Sequence, residues 1–134
     1  MATKEELMDF FKRDFPQADF LIESIDNQSA TIRKEINQNH LRPGGTVSGP
    51  VLMEVADAAL YVAILGEIGL VALAVTTNLN ITFLRKPSSD KDIIATCKLL
   101  KVGKLLVIGE VSLFSDGSSE PVAHAVGTYA IPPK

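Results

Sequence analysis

Residues 45–58 read GTVSGPVLMEVADA, and within them a glycine-rich loop gives way to a long apolar segment. Pro50 suits the first turn of a helix, because its fixed φ fits there and its missing N–H is not needed. The sequence therefore predicts a helix whose N-cap is Ser48 or Gly49. This helix is apolar on nearly every face, which is typical of a helix buried inside a sheet that wraps around it.

Three polar side chains interrupt this apolar helix at the spacing of one helical face. Glu54, Asp57 and Tyr61 stand at positions i, i+3 and i+7 and form a polar stripe. An aspartate on a buried helix needs a partner, so Asp57 is either satisfied by nearby backbone or Tyr groups or faces a cleft that takes a ligand. Glu54 lies one turn from the helix start, where the helix dipole alone would favour a carboxylate.

The loop before the helix offers backbone N–H groups at a helix N-terminus. Such groups stabilise negative charge that develops on a carbonyl oxygen, and Gly49 would allow a ligand to approach closely. Pro50 has no N–H and cannot donate. The alternative is that Gly49 and Pro50 only shape the turn and start the helix.

The rest of the chain predicts a short helix and six strands within a single domain that spans residues 1–134. A capping box of Thr3 and Glu6 starts the N-terminal helix, which ends before Pro16. Alternation and turn signals predict the remaining elements. These are two strands between Asp19 and Asn37, the long helix ending near Gly66 or Gly69, and strands at Leu70–Leu84, Asp92–Val102, Lys104–Phe114 and Pro121–Ile131.

Composition excludes several classes of function. The net charge of −3 lacks the basic excess of a nucleic-acid-binding protein, and no apolar run is long enough to cross a membrane. The single cysteine, Cys97, cannot form an intrachain disulfide, which fits a reducing cytoplasm. Only two histidines are present, so we expect no metal site. Alternation in the late strands places Cys97, His124 and Tyr129 as packing or surface residues.

The segment from Gly45 to Ala58 resembles the signature of hotdog-fold thioesterases of the phenylacetic-acid-pathway type, Gly-x-x-His-Gly-Gly followed by an acidic residue. Residues 76–87, TTNLNITFLRKP, look like the strand that follows the helix in that family. The resemblance implies an α+β hotdog fold, in which an antiparallel sheet of about five to six strands wraps around a long buried helix. It also implies an acyl-CoA thioesterase that needs no cofactor beyond the coenzyme A of its substrate.

The family's roles map onto two residues of this chain, and three other positions depart from the pattern. The resemblance implies that the Gly49 N–H binds the thioester carbonyl and that Asp57 activates water or attacks directly. Ser48 stands where the family has its His, Pro50 stands in place of the second Gly, and Arg42 replaces an Asn or Gln. The donor at Gly49 survives these changes, while Ser48 or Arg42 would have to replace the His.

Gly49 and Asp57 are too far apart to serve one carbonyl within a single chain. Eight helical residues at 1.5 Å each separate them by about 12 Å. We therefore expect a homodimer in which two long helices lie antiparallel and Gly49 of one subunit approaches Asp57 of the other. The resemblance further implies a dimer of dimers.

The remaining substrate contacts are expected beside this centre and at charged strand ends. The predicted substrate-binding residues are Arg42, Ser48, Pro50, Glu54, Tyr61, Thr77 and Asn78. Arg85, Lys86 and Lys104 supply the positive charge that the phosphates of coenzyme A need, although charged residues at strand ends are also commonly only solvated.

Two other readings of the chain stay open. His40, Gly49 and Glu54 reproduce the spacing of β-hydroxyacyl-thioester dehydratases, a different hotdog class in which a His and a Glu act together. The missing family His at position 48 also fits an acyl-CoA binding module without catalysis. The sequence does not specify the acyl group, nor whether the carrier is coenzyme A or a carrier protein.

Overall fold

The computed structural model describes residues 1–133 as an α+β fold. Its elements are, in chain order, α1 (Lys4–Asp14), β1 (Leu21–Asp26), β2 (Ser29–Lys34), a 3-10 turn (Gln38–His40), β3 (Leu41–Arg42), β4 (Thr46–Val47), α2 (Gly49–Ile68), β5 (Val75–Phe83), β6 (Ile93–Val102), β7 (Leu106–Ser115) and β8 (Ala123–Ala130). The predicted order of a short helix, two strands, a long helix and four strands is confirmed. The two-residue hairpin of β3 and β4 is an addition to it.

Six of the strands form one sheet in the order β1-β2-β6-β7-β8-β5. Every neighbouring pair is antiparallel. The inward-facing residues of β2, β6, β7 and β8 are buried together with one side of α2. The predicted hotdog arrangement, a sheet wrapped around a long helix, is therefore confirmed.

A notch of two glycines fixes α2 against the sheet. Gly109 on β7 and Gly127 on β8 lie directly opposite each other, and the fully buried Leu60 of α2 lies over the pair. A Cβ on Gly109 would come within 2.8 Å of Leu60 Cδ2, and one on Gly127 would overlap Leu60 Cδ1. Only glycine at both positions allows Leu60 to approach the sheet this closely, and this contact sets the distance between α2 and the strands β7 and β8. Leu60 lies one helical turn from Asp57.

The N-terminal helix α1 packs against α2 and β1. Its capping box is confirmed, because the Thr3 hydroxyl accepts from the Glu6 N–H at 3.1 Å and the Glu6 carboxylate accepts from the Thr3 N–H at 3.1 Å. Leu7, Phe10 and Phe11 are its buried residues. The helix therefore adds an aromatic surface to the outer side of α2.

The strand predicted at Leu70–Leu84 is wrong in its first five residues. The long helix ends at Ile68 and is capped by Gly69, whose φ of 102° is open to glycine and strained for other residues. A tight turn follows, with the Val71 N–H bonded to the Gly69 carbonyl at 2.8 Å and the Ala74 N–H to the Val71 carbonyl at 3.1 Å. The chain uses these residues to reverse direction, and pairing with β8 begins only at Val75.

Strand β5 is an edge of the sheet and is exposed along most of its length. Val75 is 56% exposed at its start and Phe83 is 50% exposed at its end. Unpaired edge strands with exposed apolar side chains are sites of pairing with another chain. Among residues 1–133, no helix has both the length and the apolar character needed to cross a bilayer.

Candidate active site

The carboxylate of Asp57 is held by two hydroxyl groups from the sheet. Thr76 on β5 donates to Asp57 Oδ1 at 2.7 Å, and the Tyr129 hydroxyl on β8 lies 2.8 Å from the same oxygen. Asp57 Oδ2 accepts no hydrogen bond from residues 1–133. The expectation that neighbouring groups satisfy Asp57 is therefore met for one oxygen, while a ligand at the other oxygen stays a prediction.

The structure gives Tyr129 a polar contact that the alternation of its strand did not predict. Its hydroxyl also lies 3.1 Å from the Asp57 carbonyl oxygen, and its ring stacks on Tyr61 with centroids 5.9 Å apart. Burial, followed by the charge of Asp57, raises the pKa of Tyr129 far above its ordinary value. The hydroxyl therefore keeps its proton and remains a donor.

On β5 the structure places Thr76 against Asp57, whereas the sequence singled out the next two residues. A β-bulge shifts the register between Thr76 and Asn78, so that Thr77 is the extra residue. The Thr77 hydroxyl donates to the Thr128 carbonyl at 3.2 Å, and Asn78 is exposed. Neither Thr77 nor Asn78 lines the cavity beside Asp57. Alternation alone cannot locate a bulge, which is why the prediction missed Thr76.

A cavity of about 570 Å³ opens beside Asp57, between α1, α2 and the start of β5. The predicted stripe of Glu54, Asp57 and Tyr61 lines it together with Thr76 and Tyr129. Its volume falls in the range of roughly 300–1,000 Å³ that is usual for small-molecule sites. Apart from Asp14 and Gln17, its other walls are apolar, and many of them are aromatic side chains from α1 and the segment that follows it.

The start of α2 leaves one backbone donor without a partner. Ser48 is the N-cap: its hydroxyl accepts from the Val51 N–H at 3.4 Å, and its carbonyl accepts from the Leu52 N–H at 3.2 Å. Pro50 has no N–H, and within residues 1–133 the Gly49 N–H has no acceptor. Gly49 does not line the cavity of Asp57. One chain therefore holds the two predicted catalytic groups apart.

The predicted basic residues do not form one patch within a chain. Arg85 and Lys86 follow the end of β5. Lys104 lies in the turn before β7, and the first residue of β7 pairs with the last residue of β8. Because β5 and β8 are antiparallel, Lys104 lies at the end where β5 begins. Arg85 bonds to the Pro121 carbonyl and pairs with Glu120 at 3.6 Å. Lys86 and Lys104 are exposed.

The residues ahead of α2 lie outside the cavity. Arg42 and Pro50 are exposed, and Ser48 uses its hydroxyl as the helix cap. His40 Nδ1 accepts from the Asn37 N–H at 2.9 Å, and His40 does not line the cavity that contains Glu54. Within one chain the structure thus does not bring together the His40 and Glu54 pair that the dehydratase reading requires. No cluster of three His, Cys, Asp or Glu side chains that could hold a metal occurs in residues 1–133.

A family model and several solved structures resemble this chain. The model of the thioesterase superfamily matches residues 44–122. A candidate thioesterase from Silicibacter sp. TM1040 is 42% identical, with 98% of this chain and 92% of that chain covered and a TM-score of 0.90. This similarity extends over nearly the whole of both chains, α1 and β8 included.

Two more distant structures share the fold. One is the PaaI protein from the phenylacetic acid degradation operon of E. coli, with 24% identity, 81% and 80% of the two chains covered, and a TM-score of 0.72. The other is a hypothetical thioesterase of Streptococcus pneumoniae TIGR4 solved with coenzyme A, with 18% identity, coverage of 95% and 98%, and a TM-score of 0.80.

Proposed function

The chain belongs to the thioesterase superfamily and is a thioester hydrolase, and we propose that it acts on acyl-coenzyme A with Asp57 as its general base or nucleophile. The observation that carries this proposal is the Asp57 carboxylate, which has one oxygen held by Thr76 and Tyr129 and the other free beside an apolar cavity. A carboxylate held in this way is oriented before the substrate arrives.

The free oxygen of Asp57 is suited to two related reaction steps. As a general base, Oδ2 takes a proton from water while the water oxygen attacks the thioester carbonyl. As a nucleophile, Oδ2 attacks the carbonyl itself and forms an anhydride that water then hydrolyses. In both cases the carbonyl oxygen becomes negatively charged, and the C–S bond breaks when the tetrahedral intermediate collapses and the thiolate of coenzyme A leaves.

The oxyanion donor in this scheme is the Gly49 N–H of a second subunit. Within one chain about 12 Å of helix separates Gly49 from Asp57. The unpaired Gly49 N–H and the exposed edge strand β5 support a homodimer with its α2 helices antiparallel, which would bring each Gly49 to the partner subunit's Asp57. Gly49 also lies beside Phe83, the exposed last residue of β5, so the donor and the edge strand belong to one surface.

Coenzyme A is the carrier that we propose for the acyl group. The fold is shared with a thioesterase structure that contains coenzyme A. Arg85 and Lys86 follow Phe83, which touches Gly49, so these two cations lie at the end of β5 where the proposed oxyanion donor is found. Lys104 lies at the opposite end of the sheet and is not part of this phosphate site in the same subunit.

The test of this function is the conservative substitution Asp57→Asn. It keeps the shape of the side chain and removes the base, so we expect kcat for hydrolysis of acyl-coenzyme A to fall by about 10²–10⁴-fold. Release of coenzyme A is followed with a thiol reagent. The protein's own thiol does not interfere, because Cys97 is buried and its pKa is raised by burial to about 12.

The matched control is Glu54→Gln, which removes the neighbouring carboxylate of the same stripe. Glu54 is exposed and accepts no hydrogen bond from Thr76 or Tyr129, so a much smaller fall in kcat is expected. Wild-type turnover in Asp57→Asn, or an equal loss in both variants, would refute the role proposed for Asp57.

A further inference from the structure

A second cavity lies beside α1, next to the one that contains Asp57. It measures about 330 Å³ and is lined by residues of α1, by the segment after it and by the start of β1, among them Met8, Lys12 and Ile22. Three residues, Phe11, Ala18 and Phe20, line both cavities. These three therefore form the partition between the two spaces.

Two aromatic rings make up most of this partition. The rings of Phe11 and Phe20 meet edge to face, with centroids 5.1 Å apart and an angle of 74° between their planes. Phe11 is 7% exposed, and Phe20 is partly buried against the core. An edge-to-face contact at this distance is a favourable aromatic pair, so the partition is closed by packing that resists displacement.

A row of aromatic rings connects the partition to the carboxylate. Phe11 lies 5.6 Å from Tyr61, measured between ring centroids, and Tyr61 lies 5.9 Å from Tyr129, whose hydroxyl bonds to Asp57. An acyl group whose carbonyl carbon is placed at Asp57 therefore extends along this row toward Phe11 and Phe20. The rings of the row offer an apolar wall, and the Tyr61 hydroxyl is engaged by the Ala72 carbonyl at 3.0 Å.

The charges around the first cavity restrict the far end of the acyl group. Asp14, Glu54 and Asp57 line it, whereas no Lys, Arg or His of residues 1–133 does. A second carboxylate on the substrate would lie among like charges without a cation. The cavity therefore favours an uncharged, apolar acyl group.

We propose that the Phe11 and Phe20 pair sets the length of the acyl group, because it closes the far end of the cavity and keeps the second cavity out of reach. This inference rests on the proposed function and specifies its substrate class: thioesters of uncharged acyl groups, aryl or aliphatic, short enough to end at the pair. Removing one ring joins the two cavities and admits longer chains.

The experiment compares octanoyl-coenzyme A with hexadecanoyl-coenzyme A in wild type and Phe20→Ala. We expect the ratio of kcat/KM for the longer over the shorter substrate to rise at least about tenfold in the variant, a change within the range that a few methylenes produce in an apolar pocket. Phe11→Leu is the second variant, because loss of the whole buried Phe11 ring could unfold the protein. It opens the same partition from the other side and should move the ratio in the same direction.

Phe15→Ala is the matched control. Phe15 belongs to the same aromatic cluster and lines the first cavity only, so the same substitution there enlarges the cavity without opening the partition. The length ratio should stay at its wild-type value in Phe15→Ala. A ratio that is flat in Phe20→Ala and Phe11→Leu, or that rises equally in Phe15→Ala, overturns the proposal.

Binding of the free acids separates this inference from the proposed function. Calorimetry with octanoate and hexadecanoate should show a gain of at least about tenfold for hexadecanoate in Phe20→Ala. If the wild type hydrolyses neither thioester and this gain in affinity is still found, the partition is supported and the proposed function fails. If the wild type hydrolyses octanoyl-coenzyme A while both ratios stay flat, the function stands and the partition is refuted.

Discussion

At the scale of single residues, the chemistry depends on how one carboxylate is held. The spacing of Glu54, Asp57 and Tyr61 was sufficient to predict that they share a face, because helical periodicity is local. Thr76 and Tyr129 could not be found in the same way, since they contact Asp57 only after β5 and β8 have come together. Contacts between residues that are far apart in the chain produce no regular spacing in the sequence from which they could be predicted.

Tyr129→Phe tests whether the hydroxyl orients Asp57. The substitution keeps the ring that stacks on Tyr61 and removes the hydroxyl that contacts Oδ1 and the carbonyl oxygen of Asp57, so we expect kcat to fall about tenfold with little change in KM. Steady-state kinetics on acyl-coenzyme A measures both constants. Unchanged kcat would mean that Thr76 alone is sufficient to hold the carboxylate.

Tyr61→Phe is the comparison for that experiment. It removes a hydroxyl from the stacked neighbour, but this hydroxyl donates to the Ala72 carbonyl at 3.0 Å and not to Asp57. A smaller fall in kcat is therefore expected, and equal falls in the two variants would argue for a general packing effect.

At the scale of elements, the sequence predicted the helices with most of their bounds. The capping box of α1 and the ends of α2 are local signals: the structure confirms the capping box, and of the predicted alternatives it selects Ser48 over Gly49 as N-cap and Gly69 over Gly66 as C-cap. The strand at Leu70–Leu84 was predicted too long, because apolar residues in a turn look like the start of a strand. The bulge at Thr77 had no signal in the alternation of β5.

The glycine notch under Leu60 provides a test of how α2 is fixed on the sheet. Gly127→Ala would place a methyl group where Leu60 Cδ1 lies, and we expect the free energy of unfolding to fall by about 1–3 kcal/mol. Denaturation by urea measures it. The thiol-release assay should show a parallel loss of kcat, since Asp57 lies one turn from Leu60.

A double-mutant cycle shows whether the loss comes from that contact. Leu60→Ala removes the methyl group that the new Cβ would meet, so Gly127→Ala should cost less in a Leu60→Ala background. Strictly additive effects would mean that the glycine is needed for its backbone and not for the space above it.

At the scale of the whole molecule, the sequence located the charged residues but could not place them in space. Arg85, Lys86 and Lys104 were grouped because Arg85 and Lys86 end one predicted strand and Lys104 stands at the turn that begins another. The antiparallel order of the sheet puts Lys104 at the opposite end from the other two, and strand order is decided by contacts across the whole chain. The separation of Gly49 from Asp57, by contrast, follows from helix geometry alone and already predicts two subunits.

A shared site is tested with a heterodimer purified through two different tags, one subunit carrying Asp57→Asn and the other Gly49→Pro. Proline removes the N–H at position 49 and is tolerated at a helix start. Each homodimer should be nearly inactive, whereas the heterodimer has one intact site and should show about half of the wild-type activity.

The mirror combination is the control. When both substitutions are on one chain and the partner is wild type, each of the two shared sites loses one group and activity should be lost, whereas sites formed within single chains would keep about half. An inactive first heterodimer together with a half-active second one would refute the shared site.

The position of α1 has a consequence for how such an enzyme changes over time. The rings that close the far end of the cavity come from α1 and the segment that leads into β1, both of which lie outside the region matched by the family model, residues 44–122. Asp57, Gly49 and Thr76 lie inside that region. Replacements among the first twenty residues can therefore change the acyl group that is accepted without altering Asp57, Gly49 or Thr76.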